Sequence, residues 1–225
     1  MARISRERSL PRSTVRDWCA GRVPAVPAVA PWLEPGFPEE SYCRLLGTYL
    51  GDGHIAHAAR TQVLRISCDA AYPRLIADTV DDLRALRPDR AVHVNRRRET
   101  GCVVVQASWR SWSRVFPQHG PGPKHLRAIC LTGWQRELTL THPQAFVRGL
   151  INSDGCRYVN RVVVRGRSYA YPSYEFKNAS SDIHGLLREH LDLIGIAWRR
   201  AGARGTAMTT RDAVARLDEF VGPKR

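Results

Sequence analysis

Asp52 and Asp154 are each followed by glycine, and each closes a nine-residue stretch of the same pattern. The first reads Leu45-Leu46-Gly47-Thr48-Tyr49-Leu50-Gly51-Asp52-Gly53, the second Val147-Arg148-Gly149-Leu150-Ile151-Asn152-Ser153-Asp154-Gly155. The third and seventh positions are small in both: Gly47 and Gly51, Gly149 and Ser153. Residues four apart share one face of a helix, so two such helices can approach backbone to backbone. The two carboxylates would then meet just past the helix ends. Helix C-termini are negative and leave carbonyls free, which favours cations there. Adjacent carboxylates repel unless metal ions lie between them. Hydrated Mg²⁺ (or Mn²⁺), held by few carboxylates and by a substrate phosphate, fits that demand. His54 and His57 form an His-x-x-His pair, which alone is slight support for a metal ligand.

Such a cluster needs two helices and a frame. Residues 41–51 read as a helix ending at Asp52-Gly53, and residues 143–153 as a helix ending at Asp154-Gly155. Pro143 in a first turn and glycine past each end are expected helix punctuation. After the first helix come strand-like Thr61–Ser67, a helix at Tyr72–Leu86, and strand-like Ala91–Arg97 and Cys102–Ser108 about a turn at residues 96–101. After the second come Cys156–Arg165 and Tyr171–Ala179 about a turn near Gly166, then a helix at Asp182–Ile194. Short strands at Ile196–Arg200 and Arg204–Met208 and a helix at Arg211–Phe220 follow. Each half is thus helix, hairpin, helix, hairpin, helix, with the aspartates 102 residues apart. The reading divides the chain into a basic, helix-like segment at 1–22, a proline-rich linker at 23–38, a first repeat with its connector at 39–141 and a second repeat at 142–225. Pro24, Pro27, Pro31, Pro35 and Pro38 block helix in the linker.

The two nonamers resemble the LAGLIDADG (dodecapeptide) motif of homing endonucleases. Two copies at repeat spacing, each heading the same order of elements, make the resemblance specific, and it covers residues 39–225. It implies an α+β fold: a pseudo-twofold, duplicated αββαββα chain whose two antiparallel sheets form a saddle on double-stranded DNA. It implies that Asp52 and Asp154 bind divalent metal and organise water for phosphodiester hydrolysis, with the carbonyls of Gly51 and Ser153 as further ligands. It also implies a monomer without an obligatory protein partner. The sixth motif position, often acidic in the family, is Leu50 in one copy and Asn152 in the other. On this picture the DNA contacts come from strand faces and hairpin tips: Arg65, Arg96, Arg97, Arg98, Arg161, Arg165, Arg167 and Lys177. Phosphate contacts among them set affinity and base-edge contacts set specificity. Arg110 and Arg211, each following the last strand of its half, are candidates to support transition-state charge. Trp109 and Trp112 are expected as core anchors.

The charge agrees with a polyanionic partner. The 225 residues carry 35 Lys+Arg against 21 Asp+Glu, a net charge of +14, and neutralised phosphates release counterions. No apolar run approaches the roughly 18 residues of a membrane-spanning helix. The basic N-terminus precedes no hydrophobic segment, so no signal peptide is read there. A cytoplasmic protein is expected, nucleoid-associated if bacterial. Its six cysteines, at 19, 43, 68, 102, 130 and 156, include no Cys-x-x-Cys pair and are expected to be reduced.

Residues Ser9–Trp18 resemble the turn and second helix of a helix-turn-helix, with Arg12 and Arg16 toward DNA, but only Ala2–Arg8 is available for the first helix. Two functions compete. One is a metal-dependent, site-specific DNA endonuclease, supported by both aspartates. The other is a non-cleaving DNA-binding regulator on the same scaffold, which an added helix-turn-helix-like segment would suit. An intein endonuclease is disfavoured by Met1 and by the Gly222-Pro223-Lys224-Arg225 ending, and RNA as substrate ranks behind DNA.

Overall fold

The computed structural model describes residues 36–97 and 100–224. The segment 1–22, most of the 23–38 linker, and the candidates Arg12, Arg16 and Arg98 lie outside the described residues.

Helix α1 (Glu39–Asp52) begins after Pro38 with Glu39 and Glu40 in its first turn, where negative charge complements the helix dipole. It buries Tyr42, Leu45, Leu46, Tyr49 and Leu50. Strands β1 (Gly53–Ala58) and β2 (Thr61–Asp69), helix α2 (Pro73–Leu86) and strands β3 (Val92–Arg96) and β4 (Cys102–Ser108) follow. The second half repeats this order. It has α5 (Pro143–Asp154), β5 (Gly155–Val164), β6 (Arg167–Lys177), α6 (Ser181–Leu193), β7 (Arg199–Arg200), β8 (Gly205–Met208) and α7 (Arg211–Phe220). Both sheets are antiparallel and ordered alike, β1-β2-β4-β3 and β5-β6-β8-β7. The fold is therefore α+β with αββαββα used twice.

Side chains alternate across a strand, so register assigns each sheet two faces. Leu64, Ile66, Val103, Val105 and Ala107 are buried on the helix side of the first sheet, as are Tyr174, Phe176 and Met208 in the second. The opposite face of each sheet is the more open one, although Val104, Ser173 and Ala207 on it are buried. Trp112 is fully buried, its Nε1 donating to the Ala107 carbonyl at 2.9 Å. Trp109 is half-buried, set edge-on to Trp112 with the Arg87 guanidinium over its ring.

Several elements depart from the sequence expectation, and strand β7 covers only Arg199–Arg200 of the expected Ile196–Arg200. Gly53–Ala58 was not expected as a strand; it pairs with β2 from Gly53↔Ile66 to Ala58↔Thr61. It carries one β-branched residue in six, too little propensity to be seen without its partner. Strand β6 starts at Arg167 rather than Tyr171, because its outer residues are exposed and give no apolar alternation to read. The stretch Pro117–Thr141, expected only as a connection, contains helix α4 (Gly133–Thr141), while the helix closing the first half is the single turn α3 (Trp112–Val115). Thr132 and Gln135 form a capping box at α4, a pattern that satisfies its first backbone donors.

Candidate functional site

The site begins where α1 crosses α5. A Cβ at Gly47 would fall on the Phe146 carbonyl oxygen and 2.7 Å from the Leu150 nitrogen. At Gly149 it would fall on the Arg44 carbonyl oxygen and 2.9 Å from the Thr48 nitrogen. Backbone meets backbone at both, so only glycine fits. One turn on, a Cβ at Gly51 would strike the Ser153 side chain and lie 2.7 Å from Asp154 Oδ2. The small motif residues thus bring the two helix ends together, and the aspartates with them.

Both carboxylates are mostly buried. Burial, then the neighbouring Asp154 charge, pushes the Asp52 carboxyl up to about 6. Burial also raises Asp154, opposed by Asn178 Nδ2, which donates to Asp154 Oδ2 at 2.6 Å. Two lysines answer this charge. Lys124 Nζ donates to the carbonyls of Tyr49, Gly51 (3.2 Å) and Gly53 (2.8 Å) at the end of α1. Lys224 Nζ donates to the Ser153 carbonyl at 3.0 Å, at the end of α5. Burial lowers both, Lys124 to about 8, and the two aspartates partly restore them. Each ammonium therefore sits on the negative pole of its own half's motif helix.

Two clefts open onto this cluster. One is lined by Asp154, Lys124, Asn178, Lys177 and His54; the other by Asp52, Lys224, Ser67, Cys68 and Asn152. Each thus joins the aspartate of one half to the lysine of the other. The connector that carries Lys124 is itself fixed by a buried polar network. Gln135 Nε2 donates to Tyr42 Oη at 2.7 Å, Tyr42 Oη donates to the Val115 carbonyl at 2.8 Å, and Gln118 Nε2 donates to Gln135 Oε1 at 2.6 Å. Arg127 ties the loop back by donating to the Gln118 carbonyl. The tie gives the connector a role in placing a cation beside the aspartates.

Neither lysine is among the residues singled out by the motif, although the sequence carries a signal for both. Only three of the 35 basic residues are lysine, and two of them stand in identical Gly-Pro-Lys tripeptides, 122–124 and 222–224. Gly122 and Gly222 share a positive φ, 73° and 66°, so the repeat extends to backbone conformation. Arg110 and Arg211, expected near the reaction centre, are both exposed; the cations that act on both aspartates are Lys124 and Lys224.

Two mostly buried carboxylates, of which Asp154 raises the proton affinity of Asp52, are hard oxygen donors of the kind that Mg²⁺ or Mn²⁺ takes. The carbonyls of Gly51 and Ser153, expected as ligands, each accept from an ammonium instead. Among the described residues no three His, Cys, Asp or Glu side chains are grouped to hold a metal. His57 of the His-x-x-His pair meets His119, Nε2 to Nε2 at 3.1 Å.

The candidate DNA residues divide by face. On the open face of the first sheet, His54, Arg65, Gln106 and His93 stand side by side in register. Arg97 extends beyond β3 and is exposed, whereas Arg96 pairs with Val103 and so falls on the helix side. In the second sheet Lys177 and Arg167 share the open face, while Arg161 points to the other side and Arg165 occupies the turn. Among the described residues no helix is long and apolar enough to cross a membrane.

No protein-family model and no curated protein matches the chain. Solved structures do, and they define the class: the fold is the duplicated LAGLIDADG fold. A crystal structure of I-DmoI in complex with DNA and Mn matches 83% of this chain and 98% of its own at TM-score 0.53 and 10% identity. I-DmoI in complex with DNA and Ca matches 81% and 89% at TM-score 0.54 and 13% identity. Full-length DUF199/WhiA from Thermatoga maritima matches 86% of this chain at TM-score 0.52 and 16% identity, and this chain spans 59% of that protein's length. At these identities the likeness is one of fold. It is shared by a nuclease-type scaffold and by WhiA alike.

Proposed function

We propose that this chain binds double-stranded DNA across the open faces of its two sheets and hydrolyses phosphodiester bonds at Asp52 and Asp154. The observation that carries the reading is the crossing itself. Gly47 and Gly149 admit only backbone contact, and the result is two buried carboxylates, each sharing a cleft with the other half's lysine. A charge of +14 and open faces bearing Arg65, Gln106, Lys177 and Arg167 supply the attraction for a duplex. Both halves lie in one chain, so a monomer suffices.

Asp52 and Asp154 would hold Mg²⁺ or Mn²⁺, which when bound lowers the pKa of water and polarises the phosphoryl oxygen. The protein's own groups do the rest. Lys124 and Lys224 offset the charge of the incoming phosphate. Lys124, whose three donors are taken by the Tyr49, Gly51 and Gly53 carbonyls, acts as a fixed positive charge. Asn178 orients Asp154 through its 2.6 Å hydrogen bond.

The second reading, a non-cleaving regulator, is favoured by one feature. The carbonyls of Gly51 and Ser153 are held by ammonium groups, so the cluster is already balanced as two carboxylates and two lysines. A randomised-duplex selection in Ca²⁺ and Mg²⁺, with Asp52→Asn and Asp154→Asn as controls, separates them. Cleavage in Mg²⁺ that either substitution stops, with binding retained, is the expected result. Tight, sequence-specific binding with no cleavage in any divalent ion would leave the regulator.

A further inference from the structure

The two halves differ in the hairpin that follows each motif aspartate. The β1–β2 ladder has six pairs, Gly53↔Ile66 to Ala58↔Thr61. The β5–β6 ladder has ten, Gly155↔Phe176 to Val164↔Arg167. Both begin at the glycine after the aspartate, so the whole difference lies at the far end. Four more pairs carry the second tip ~13 Å further out. Strand β8 pairs with β6 only over Tyr174–Lys177, and every residue from Val159 to Pro172 is exposed. The outer part is a two-stranded ribbon with both faces free. Its turn is tight, with positive φ at Arg165 (49°) and Gly166 (76°), the geometry of a two-residue type I′ hairpin.

The ribbon's chemistry points to one partner. Between Tyr158 and Tyr174 it carries Arg161, Arg165 and Arg167 and no carboxylate. On the side continuous with the open face of its sheet, Asn160 pairs with Tyr171 and Val162 with Tyr169. The two tyrosine rings stack at 6.1 Å and 7°. Val162, Tyr169 and Tyr171 keep 37–39% of their surface in water, an apolar strip with Arg167 on the same side, Arg165 at the turn and Arg161 on the other side. A duplex groove offers the complement: phosphates for the arginines, and thymine methyls and adenine edges for valine and asparagine.

We propose that this ribbon is a separate recognition arm that grips the duplex beyond the reach of the first sheet and prefers A·T pairs there. The proposal deepens the DNA-binding reading and rests on it. At 3.4 Å per base pair the extra reach is about four base pairs. Asn160 pairs with adenine N6 and N7, and Val162 packs on a thymine methyl. Arg161, on the other side of the ribbon, and Arg165 at its tip meet flanking phosphates. The first sheet, with Arg65 and Gln106 in one row, reads its own half-site without such an extension. The site is thus lopsided in length as well as in sequence.

The test uses the full chain on duplexes enriched from a randomised pool, probed by hydroxyl-radical footprinting. Two variants accompany it. One deletes residues 161–164 and 167–170, joining Asn160 to Arg165 and Gly166 to Tyr171; this keeps the turn and leaves six ladder pairs, as in the first half. The other is Asn160→Ala with Val162→Ser, which leaves the ribbon's length unchanged. The parent should protect about four more base pairs on one side of the centre, A·T-enriched in the selection. The shortened chain should lose that protection alone, with about a tenfold loss of affinity and a shallower salt dependence. The double substitution should keep the footprint and lose the enrichment. Equal protection on both sides of a bound site, or a long side that survives the deletion, overturns the arm while leaving DNA binding intact. A long side without A·T enrichment overturns the base preference. Failure of the parent to bind any duplex overturns the DNA-binding reading, and the arm with it.

Discussion

Replacing Gly149 with alanine tests how the site is built. The new Cβ would fall on the Arg44 carbonyl oxygen and 2.9 Å from the Thr48 nitrogen, where ordinary contact begins near 3.4 Å. Both atoms belong to the backbone of α1, and Leu45, Leu46 and Leu50 on that helix are fully buried. No side chain can swing aside, so α1 and α5 must part by about an ångström. Overpacking costs about 1–3 kcal/mol where side chains can adjust. Here packed backbone must move, and a loss of about 4 kcal/mol is expected, a large share of a domain's typical stability. The same movement separates Asp52 from Asp154, so activity should fall further than the folded fraction does. Urea denaturation followed by tryptophan fluorescence measures the loss. Gly185→Ala in α6 is the control: its Cβ meets nothing within 4 Å, and a gain of about 0.5–1 kcal/mol is expected from helix propensity. If Gly149→Ala unfolds within 1 kcal/mol of the parent, at an unchanged denaturant slope, the close-crossing argument fails.

Other expectations follow from charge and turn geometry. Asp52 is raised to about 6 from an ordinary 3.8, so its contribution to stability is present below pH 3.8 and is lost as pH rises through about 6. With a chelator present, Asp52→Asn should therefore stabilise the fold at pH 8, by about 3 kcal/mol at most, and have little effect at pH 3.5; destabilisation at pH 8 would contradict this. Mg²⁺ should raise the melting temperature of the parent and leave that of Asp52→Asn almost unmoved, a difference read by calorimetry. Arg44 holds the buried Asp82 through Nε at 2.9 Å and Nη2 at 2.5 Å, and Arg44→Met should cost about 3–5 kcal/mol at pH 7 by leaving that carboxylate unpaired. Denaturation that shows less than 1 kcal/mol would mean the pair is dispensable. Arg165→Asn suits the positive φ of the ribbon turn better than arginine, and slower amide exchange across β5 and β6 should report the tightened hairpin.

The lysines illustrate what a linear reading misses. Asp52 and Asp154 announced themselves through a nonamer in which spacing, small residues and Asp-Gly act together. Lys124 and Lys224 sit in a connector and at a chain end, with no local pattern except the repeated Gly-Pro-Lys. Their role depends on carbonyls distant in sequence, those of Tyr49, Gly51 and Gly53 for Lys124 and that of Ser153 for Lys224. Sheet faces show the same limit. Arg65 and Arg96 are both candidate DNA contacts by sequence, yet register turns one to the open face and the other to the helix side.

The sequence by itself determined the duplication, the two motif helices and the α+β class. These rest on short-range periods, a helix face every four residues and an alternation every two, which survive without any partner. It also determined that the helices must cross at Gly47 and Gly149, because only an absent Cβ permits that approach. Tertiary structure decided the rest. It recruited Gly53–Ala58 as a strand through its neighbour, chose which arginines share a face, and left one hairpin longer than its twin. It also set an ammonium on each helix end where free carbonyls were expected. Such outcomes depend on register and on contacts between distant segments, which no local pattern of residue types encodes.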